Sequence, residues 1–161
     1  MAAPSITVVN ASTNATQTNW SVGVVKANND SSTLQILIWN NRGGSTTLAD
    51  LRDASITSLD TDGGAASDPV ANKWLKVNAP KMTEVASAWT AVGGTTTKMI
   101  RADGLSSSDG NVIKGTANDG NASTAASKSN YATINLKVSV PISATPNTYN
   151  FKTRINGYYV G

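Results

Sequence analysis

The sequence predicts an all-β protein, an antiparallel Ig-like β-sandwich of about seven strands with a long loop insertion. Short apolar or alternating runs recur between turn-forming segments, as in sandwich and barrel domains. The dipeptide Asp-Gly, a strong tight-turn signal, occurs four times. Glu84 is the only glutamate, and charge spacings that favour helices are nearly absent. The length fits a single domain, residues 1–161.

The first half of the chain predicts five strands, on residues 5–9, 20–26, 33–39, 54–60 and 72–78. The third of them is the most apolar. Leu34, Ile36 and Ile38 lie on one face, and Leu37 and Trp39 lie on the other. We therefore expect a central strand that is covered on both sides.

The two clearest strands lie near the end of the chain. Residues 131–140 alternate between apolar and polar side chains, which predicts one buried and one solvated face. Pro141 ends this strand, because proline cannot donate a hydrogen bond to the ladder. Residues 148–155 form the next predicted strand, with Phe151 and Ile155 among the side chains that point inward.

Two further segments are predicted between these strands. The window 82–89 is the one short helix that the sequence favours. Residues 101–130 are rich in Gly, Ser, Asn and Asp and predict a long loop or arm. This is long for a loop without secondary structure, so we expect a short strand around residues 111–115.

The composition excludes several kinds of site. The chain has no cysteine and no histidine, so zinc sites, thiolate nucleophiles and Ser-His-Asp triads lack a necessary group. We expect no cofactor and no enzymatic activity. The net charge is only +3 and the basic residues are scattered, which argues against a nucleic-acid partner. The sequence contains no apolar run of about 20 residues, so we expect no membrane partner.

The stretch "WNNRGGS", residues 39–45, allows three interpretations. It lacks the glycine spacing of a phosphate-binding loop, and no helix pattern follows it. A single Arg-Gly-Gly is also a poor RNA-binding signal, because such segments act by repetition. We interpret the stretch as a corner, in which Trp39 packs in the core and residues 40–44 turn the chain with left-handed backbone angles.

Acidic residues supply the weak metal and catalytic candidates. Asp60 and Asp62 are followed by Gly63, which resembles the start of a calcium loop, but the remaining EF-hand ligands are missing. Asp50 and Asp53, like the pair above, would be candidates for glycoside hydrolysis if they faced each other across a cleft. The alternative is that all four are turn residues in contact with solvent.

Five aromatic residues are candidates for sugar stacking or for a protein interface. Trp20, Trp74 and Trp89 lie in more polar surroundings than Trp39 and could be exposed. Tyr158 and Tyr159 follow an Asn-Gly pair, so they could belong to a last edge strand that docks a neighbouring molecule. The alternative is that the aromatic residues fill a core that has only one phenylalanine.

Two segments resemble a known family. In "LQILIWNNRGGSTTLADLRDASITSLD", a strand is followed by an Asn-x-x-Gly turn and by a strand that ends in Asp. In "YATINLKVSVPISATPNTYNFKTRI", a Val-Pro and an Ala-x-Pro-Asn link join two strands. Together, over about a third of the chain, they resemble the bacterial Ig-like modules of the CARDB type. Asn147 replaces the usual glycine of that link, and residues 61–130 depart from the family pattern as an insertion.

The sequence as a whole is also similar to β-sandwich structural proteins of tailed-phage virions, namely capsid decoration, head-fibre and tail-associated proteins. The N-terminus lacks the basic and apolar regions of a signal peptide, so we expect synthesis in the host cytoplasm and a location in the virion. These features predict a homo-oligomeric structural protein whose partners are itself and other virion proteins. The alternative is an extracellular Ig-like module of a secreted protein, of the carbohydrate-binding or adhesin type, with glycans as partners.

Overall fold

The computed structural model describes residues 1–161 and contains two antiparallel sheets. The strands are β1 (Ile6–Asn10), β2 (Asn29–Asp30), β3 (Leu34–Asn40), β4 (Arg52–Asp60), β5 (Leu75–Asn78), β6 (Thr90–Val92), β7 (Lys98–Met99), β8 (Tyr131–Val140) and β9 (Phe151–Tyr158). The helices are α1 (Asp68–Ala71) and three 3₁₀ turns, Pro80–Met82, Ser107–Asp109 and Ala125–Asn130. None of these short helices has the length and apolar composition of a membrane span.

The larger sheet has the strand order β1-β3-β8-β5-β6, and β2 pairs with the last residues of β8. The smaller sheet has the order β7-β4-β9. All of the strand pairs are antiparallel. The predicted class, an all-β antiparallel sandwich, is confirmed, with nine strands where about seven were predicted.

The main core lies between the two sheets. Alternation along β3 and β8 directs Ile38 and Ile134 inward, where they join Ile56 of β4 in one buried apolar cluster. All three side chains are almost completely buried. Burial of each is worth about 1.5–3 kcal/mol relative to exposure, so this cluster is the principal force that holds the sheets together.

A second apolar cluster covers the outer face of the larger sheet. The rings of Trp39 and Tyr131 lie 4.6 Å apart, next to Val9 and Leu37. The hydroxyl of Tyr131 donates a hydrogen bond to the carbonyl of Ala122, at 2.8 Å. Ala122 belongs to the 101–130 segment, so this long segment packs over the sheet rather than extending into solvent. It also contributes buried apolar residues to the core, Val112 and Ile113.

The stretch after Trp39 is a corner, as the sequence indicates. Asn41 and Gly43 adopt left-handed backbone angles, with φ of 63° and 67°. The Asn40 side chain is completely buried. It accepts a hydrogen bond from the Ser5 N–H and donates to the carbonyls of Ala49 and Ile113. One amide thus ties three separate segments to the end of β3.

Two more asparagines extend this network. Asn41 donates to the carbonyls of Thr46 and Gly115, at 2.7 and 2.8 Å. Asn130 donates to the carbonyls of Lys114 and Thr116, at 2.9 and 2.8 Å. Because buried backbone groups need hydrogen-bond partners, these amides allow the loops to pack against the sheet without further strands.

Three predicted elements are wrong. Residues 20–26 form no strand, because no other strand of the chain pairs with them and Gly23, at φ 67°, bends the backbone. The helix on 82–89 is absent: the 3₁₀ turn ends before Thr83, whose φ is 65°, and single turns follow. Around residues 111–115 the structure has only one isolated bridge, from Ile113 to Leu51.

Replacing Asn40 should destabilise the fold strongly. Asn40→Ala leaves the Ser5 N–H and the Ala49 carbonyl without their side-chain partner. An unsatisfied buried group costs about 1–3 kcal/mol, so we expect the free energy of unfolding to fall by about 2–4 kcal/mol in urea denaturation. Gln35→Ala, which removes an exposed amide, is the matched control and should cost less than about 1 kcal/mol. Equal losses in the two variants would contradict the role given to Asn40.

Candidate functional site

The smaller sheet has an open edge at β9. This strand pairs with β4 on one side and has no hydrogen-bonded neighbour on the other. An edge strand of this length presents a row of backbone N–H and C=O groups that another strand can pair with. The geometry of β4 identifies which residues of β9 supply these groups.

The carbonyls of Ala54 and Ser58 in β4 point towards β7. They accept hydrogen bonds from the N–H groups of Ile100 and Gly94, at 2.8 and 2.9 Å. Hydrogen-bonding directions alternate along an antiparallel strand. Residues 55, 57 and 59 of β4 therefore point towards β9.

The register then assigns a direction to each residue of β9. The partners of residues 55, 57 and 59 are Asn156, Arg154 and Lys152, so these three residues bond to β4. Thr153 and Ile155 lie between them and direct their backbone groups to the open side. We call these groups, with the N–H of residue 157, the open edge of β9.

The sequence of β9 explains its position at the side of the sandwich. Phe151 and Ile155 pack against the main core, while Lys152 and Arg154 are exposed. A Cβ atom on Gly157 would lie 2.6 Å from the Leu51 side chain, so glycine permits the close approach there. The pairing of β4 with β9 is irregular at this end of the ladder, next to Gly157.

The C-terminal end of β9 exposes aromatic and apolar side chains. Tyr158 is the last residue of the strand, and Tyr159 and Val160 follow it. Each of the three is about half exposed or more. Val160 and the exposed Met1 also line a shallow hollow of about 460 Å³. Tyrosine is enriched in protein interfaces, so this end adds a contact surface to the open edge.

The tryptophans are distributed over different parts of the structure. Trp39 is buried, as expected. Trp74, one of the candidates for exposure, is instead almost fully buried, and its ring packs edge to face 4.9 Å from the ring of Tyr149. Trp20 is half-buried against the main core. Trp89 lies half-buried on the outer face of the larger sheet, the face that also carries the buried Trp39.

Trp89 lies under a paired lysine. The ammonium of Lys137 is 4.5 Å from the centroid of the indole ring and 2.6 Å from the carboxylate of Asp30. The hydrogen bond from Lys137 is the main reason why the pKa of Asp30 is lowered. Trp89, Lys137 and Asp30 therefore contact one another on the outer face of the larger sheet, where Trp89 is partly exposed.

A row of side-chain amides runs beside Trp89. Gln35 donates to Asn135, at 2.8 Å, and Asn135 donates to Asn78, at 3.1 Å. Asn78 in turn donates to the backbone carbonyl of Ala88, at 3.0 Å. The row crosses β3, β8 and β5 on the outer face of the sheet, where Gln35 is exposed, Asn135 is half-buried and Asn78 is completely buried. Amide groups next to an aromatic ring are chemically suited to sugar hydroxyls and the apolar face of a sugar ring.

The calcium candidates lie in one turn. Asp60 accepts hydrogen bonds from the hydroxyl and N–H of Ser67 and from the Ala66 N–H, and the hydroxyl contact is the main cause of its lowered pKa. Asp62 accepts from the Gly64 N–H, at 2.9 Å. The structure brings no third acidic residue to this turn. Both carboxylates already accept hydrogen bonds from backbone N–H groups of their own turn, which is a structural role.

The other pair of acids also makes structural contacts. Asp50 accepts hydrogen bonds from the Lys114 ammonium and the Gly115 N–H, each at 3.0 Å. Arg52 approaches the same carboxylate at 4.0 Å. Asp53 has a left-handed backbone, with φ of 46°, near the irregular end of the pairing between β4 and β9. These contacts attach the 111–116 loop to the start of β4.

Asp103 is a carboxylate whose environment sequence reasoning missed. It is partly buried and accepts hydrogen bonds from the N–H and hydroxyl of Thr133, at 2.8 and 2.6 Å. Desolvation raises its pKa, and the two hydrogen bonds from Thr133, followed by the charges of Lys81 and Lys128, only partly oppose this. The Asp-Gly dipeptide marks the turn, but nothing local in the sequence indicates a partner 30 residues away.

None of the family models, curated proteins or solved structures compared with the chain matches it. The resemblance to CARDB-type modules and to phage structural proteins therefore stays a prediction. The open edge of β9 and the outer face around Trp89 are the two candidate functional surfaces of the chain.

Asp103→Asn should change the pH dependence of stability. Asparagine keeps an acceptor for the Thr133 N–H and carries no charge. Because the pKa of Asp103 is raised in the folded state, folding favours the protonated acid, and stability is lost as pH rises from the unfolded-state pKa through the folded-state pKa. As pH rises through this window, the free energy of unfolding of the wild type should therefore fall relative to that of the Asn variant.

Asp109→Asn is the matched control. Hydrogen bonds from Ser106 lower the pKa of Asp109, so the wild type should lose stability relative to this variant as pH falls. A difference between the wild type and Asp103→Asn that stays constant with pH would contradict the assignment.

Proposed function

We propose that this chain is a non-enzymatic structural protein that self-associates through the open edge of β9. The larger assembly is a tailed-phage virion, in which the chain serves as a capsid decoration, head-fibre or tail-associated protein and contacts other virion proteins. The observation that carries the proposal is that β9 has a partner strand on one side only, next to the exposed Tyr158 and Tyr159. The low charged fraction, 14%, suits dense packing beside identical copies.

Simple energetics indicate which surfaces must take part. Pairing at Thr153 and Ile155 forms about four backbone hydrogen bonds, each worth about 0.5–1.5 kcal/mol net. This sum is comparable to, or less than, the cost of lost translational and rotational freedom, about 4–15 kcal/mol. Strand pairing alone therefore gives a weak complex. Burial of Tyr158, Tyr159 and Val160 in the same interface supplies the remaining driving force.

Thr153→Pro tests the open edge directly. Proline removes the N–H that faces the open side and leaves the hydrogen bonds of Lys152 and Arg154 to β4 in place. Size-exclusion chromatography with light scattering should give a multiple of 16.6 kDa for the wild type and a mass shifted towards the monomer for the variant.

Two control variants separate edge pairing from folding. Thr153→Ala keeps the N–H and should associate like the wild type. Arg154→Pro removes an N–H that bonds to β4, so it should lower the melting temperature where Thr153→Pro changes it little. A wild type that stays monomeric at high protein concentration, or a folded Thr153→Pro variant with unchanged mass, would contradict the proposal.

A second candidate function is carbohydrate binding at the outer face of the larger sheet. The observation that favours it is the half-buried Trp89 on the same face as the accessible amides of Gln35 and Asn135. In this role the chain would be an adhesin-type or carbohydrate-binding module of an extracellular protein.

Tryptophan fluorescence with a panel of glycans separates the two functions. A sugar-binding module should remain monomeric and change its emission with at least one glycan, and Trp89→Ala should abolish that change. Trp89→Phe keeps an aromatic face and should retain part of the affinity. An unchanged emission with every glycan, together with self-association, excludes the second candidate.

A further inference from the structure

Residues 18–27, called here the unpaired segment, make no hydrogen bonds through their backbone N–H groups. Both ends of the segment are fixed: the Gln17 N–H bonds to the Val8 carbonyl and the Asn28 N–H to the Val140 carbonyl, each at 2.8 Å. Between these points Trp20 packs against the main core, and Val24 is 98% exposed. The β-branched apolar side chain of Val24 is therefore exposed to water on a segment whose backbone N–H groups have no partners.

The composition of this segment is that of a strand. Residues 20–26, "WSVGVVK", contain three valines and a tryptophan, which all favour pleated structure. Gly23 is the point at which the backbone bends, with φ of 67°. Nothing lies within 4 Å of the position that a Cβ would occupy there. Glycine adopts extended angles as readily as left-handed ones, so the backbone at Gly23 can straighten without strain in its own φ and ψ angles.

We propose that residues 20–26 of one copy add as a strand to the open edge of β9 in a second copy. This inference rests on the proposed self-association and names the segment that carries it. The donor has unbonded N–H groups and the acceptor edge has unbonded N–H and C=O groups, so each satisfies the other. Addition of an extended segment to a sheet edge is a common mode of protein recognition.

Charge selects this donor over a second copy of β9. Pairing β9 with itself would bring Lys152 and Arg154 of two copies together on one exposed face, and like charges across strands are destabilising. Residues 20–25 carry no charge, and Lys26 is the only charged residue in the donor. The donor strand therefore avoids the repulsion that a β9–β9 pair would create.

The anchoring of the segment favours exchange between copies. Both of its ends bond to strands of the larger sheet, β1 and β8, whereas β9 belongs to the smaller sheet. In its own chain Val24, in the middle of the segment, is exposed, and no residue of the segment pairs with β9. Each copy has one donor and one acceptor, so exchange yields a closed two-fold dimer, a ring or an open-ended fibre.

Disulfide trapping tests the exchange. The chain has no natural cysteine, so each disulfide can form only between the introduced residues. Each residue from 21 to 26 is changed in turn to cysteine, including Val24→Cys, so that every register is sampled. Each variant is mixed with a size-tagged Thr153→Cys protein, oxidised mildly and run on a non-reducing gel. We expect a mixed covalent dimer for at least one position, at least tenfold above the yield from Val85→Cys, an exposed control position.

Each other outcome overturns the proposal. Covalent dimers of Thr153→Cys with itself would show β9–β9 pairing. A disulfide within one chain in the Val24→Cys/Thr153→Cys double variant, without mixed dimers, would show pairing inside one copy. No yield above the Val85→Cys control would exclude contact between segment and edge. In each case light scattering on the wild type shows separately whether self-association itself survives.

Discussion

Buried asparagine amides make this arrangement of loops and sheets possible. The side chains of Asn40, Asn41 and Asn130 bond to the backbone of the N-terminus and of the loops around residues 46–49 and 113–116. Without such partners, these loops would bury backbone groups that water could no longer solvate. The long segment between β7 and β8 can therefore pack over the sheet and cover Trp39, with little secondary structure of its own.

This constraint leaves the two sides of the sandwich unlike each other. The Trp39 end of the larger sheet is covered on its outer face by the loop that carries Ala122. In the smaller sheet β4 is buried along most of its length, whereas its neighbour β9 is largely exposed and lies at the open side. The charges of Lys152 and Arg154 discourage indiscriminate pairing there, a common protection of natural edge strands. A partner strand that is nearly neutral is repelled less by these two charges.

The sequence predicts the parts of the structure that depend on local pattern. Strict alternation fixes the bounds of β8, and the apolar run before Trp39 identifies β3 as a covered central strand. The corner at Asn40 follows from residues that tolerate left-handed angles. The strand predicted on residues 20–26 is wrong for a different reason: its composition suits a strand, but a strand also needs a neighbour, which no local pattern reveals.

The candidate site is predictable only in part. Tyr158 and Tyr159 can be recognised from the sequence as the end of an edge strand. That β9 has no neighbour on one side depends on the order of strands in the sheet, which the sequence pattern does not give. Trp74 shows the same limit, because its burial comes from Tyr149, which is 75 positions away in the sequence. The partner of Asp103 is likewise distant. Long-range pairing, rather than composition, determines each of these positions.

Hydrogen–deuterium exchange of the β9 amides, measured as protein concentration rises, tests the central claim most directly. In the dilute chain the N–H groups of Thr153 and Ile155 should exchange fast while those of Arg154 and Asn156 are protected by β4. On association, Thr153 and Ile155 should become protected together with residues 20–26. Protection that does not change with concentration, or that develops only around Trp89, would contradict the account.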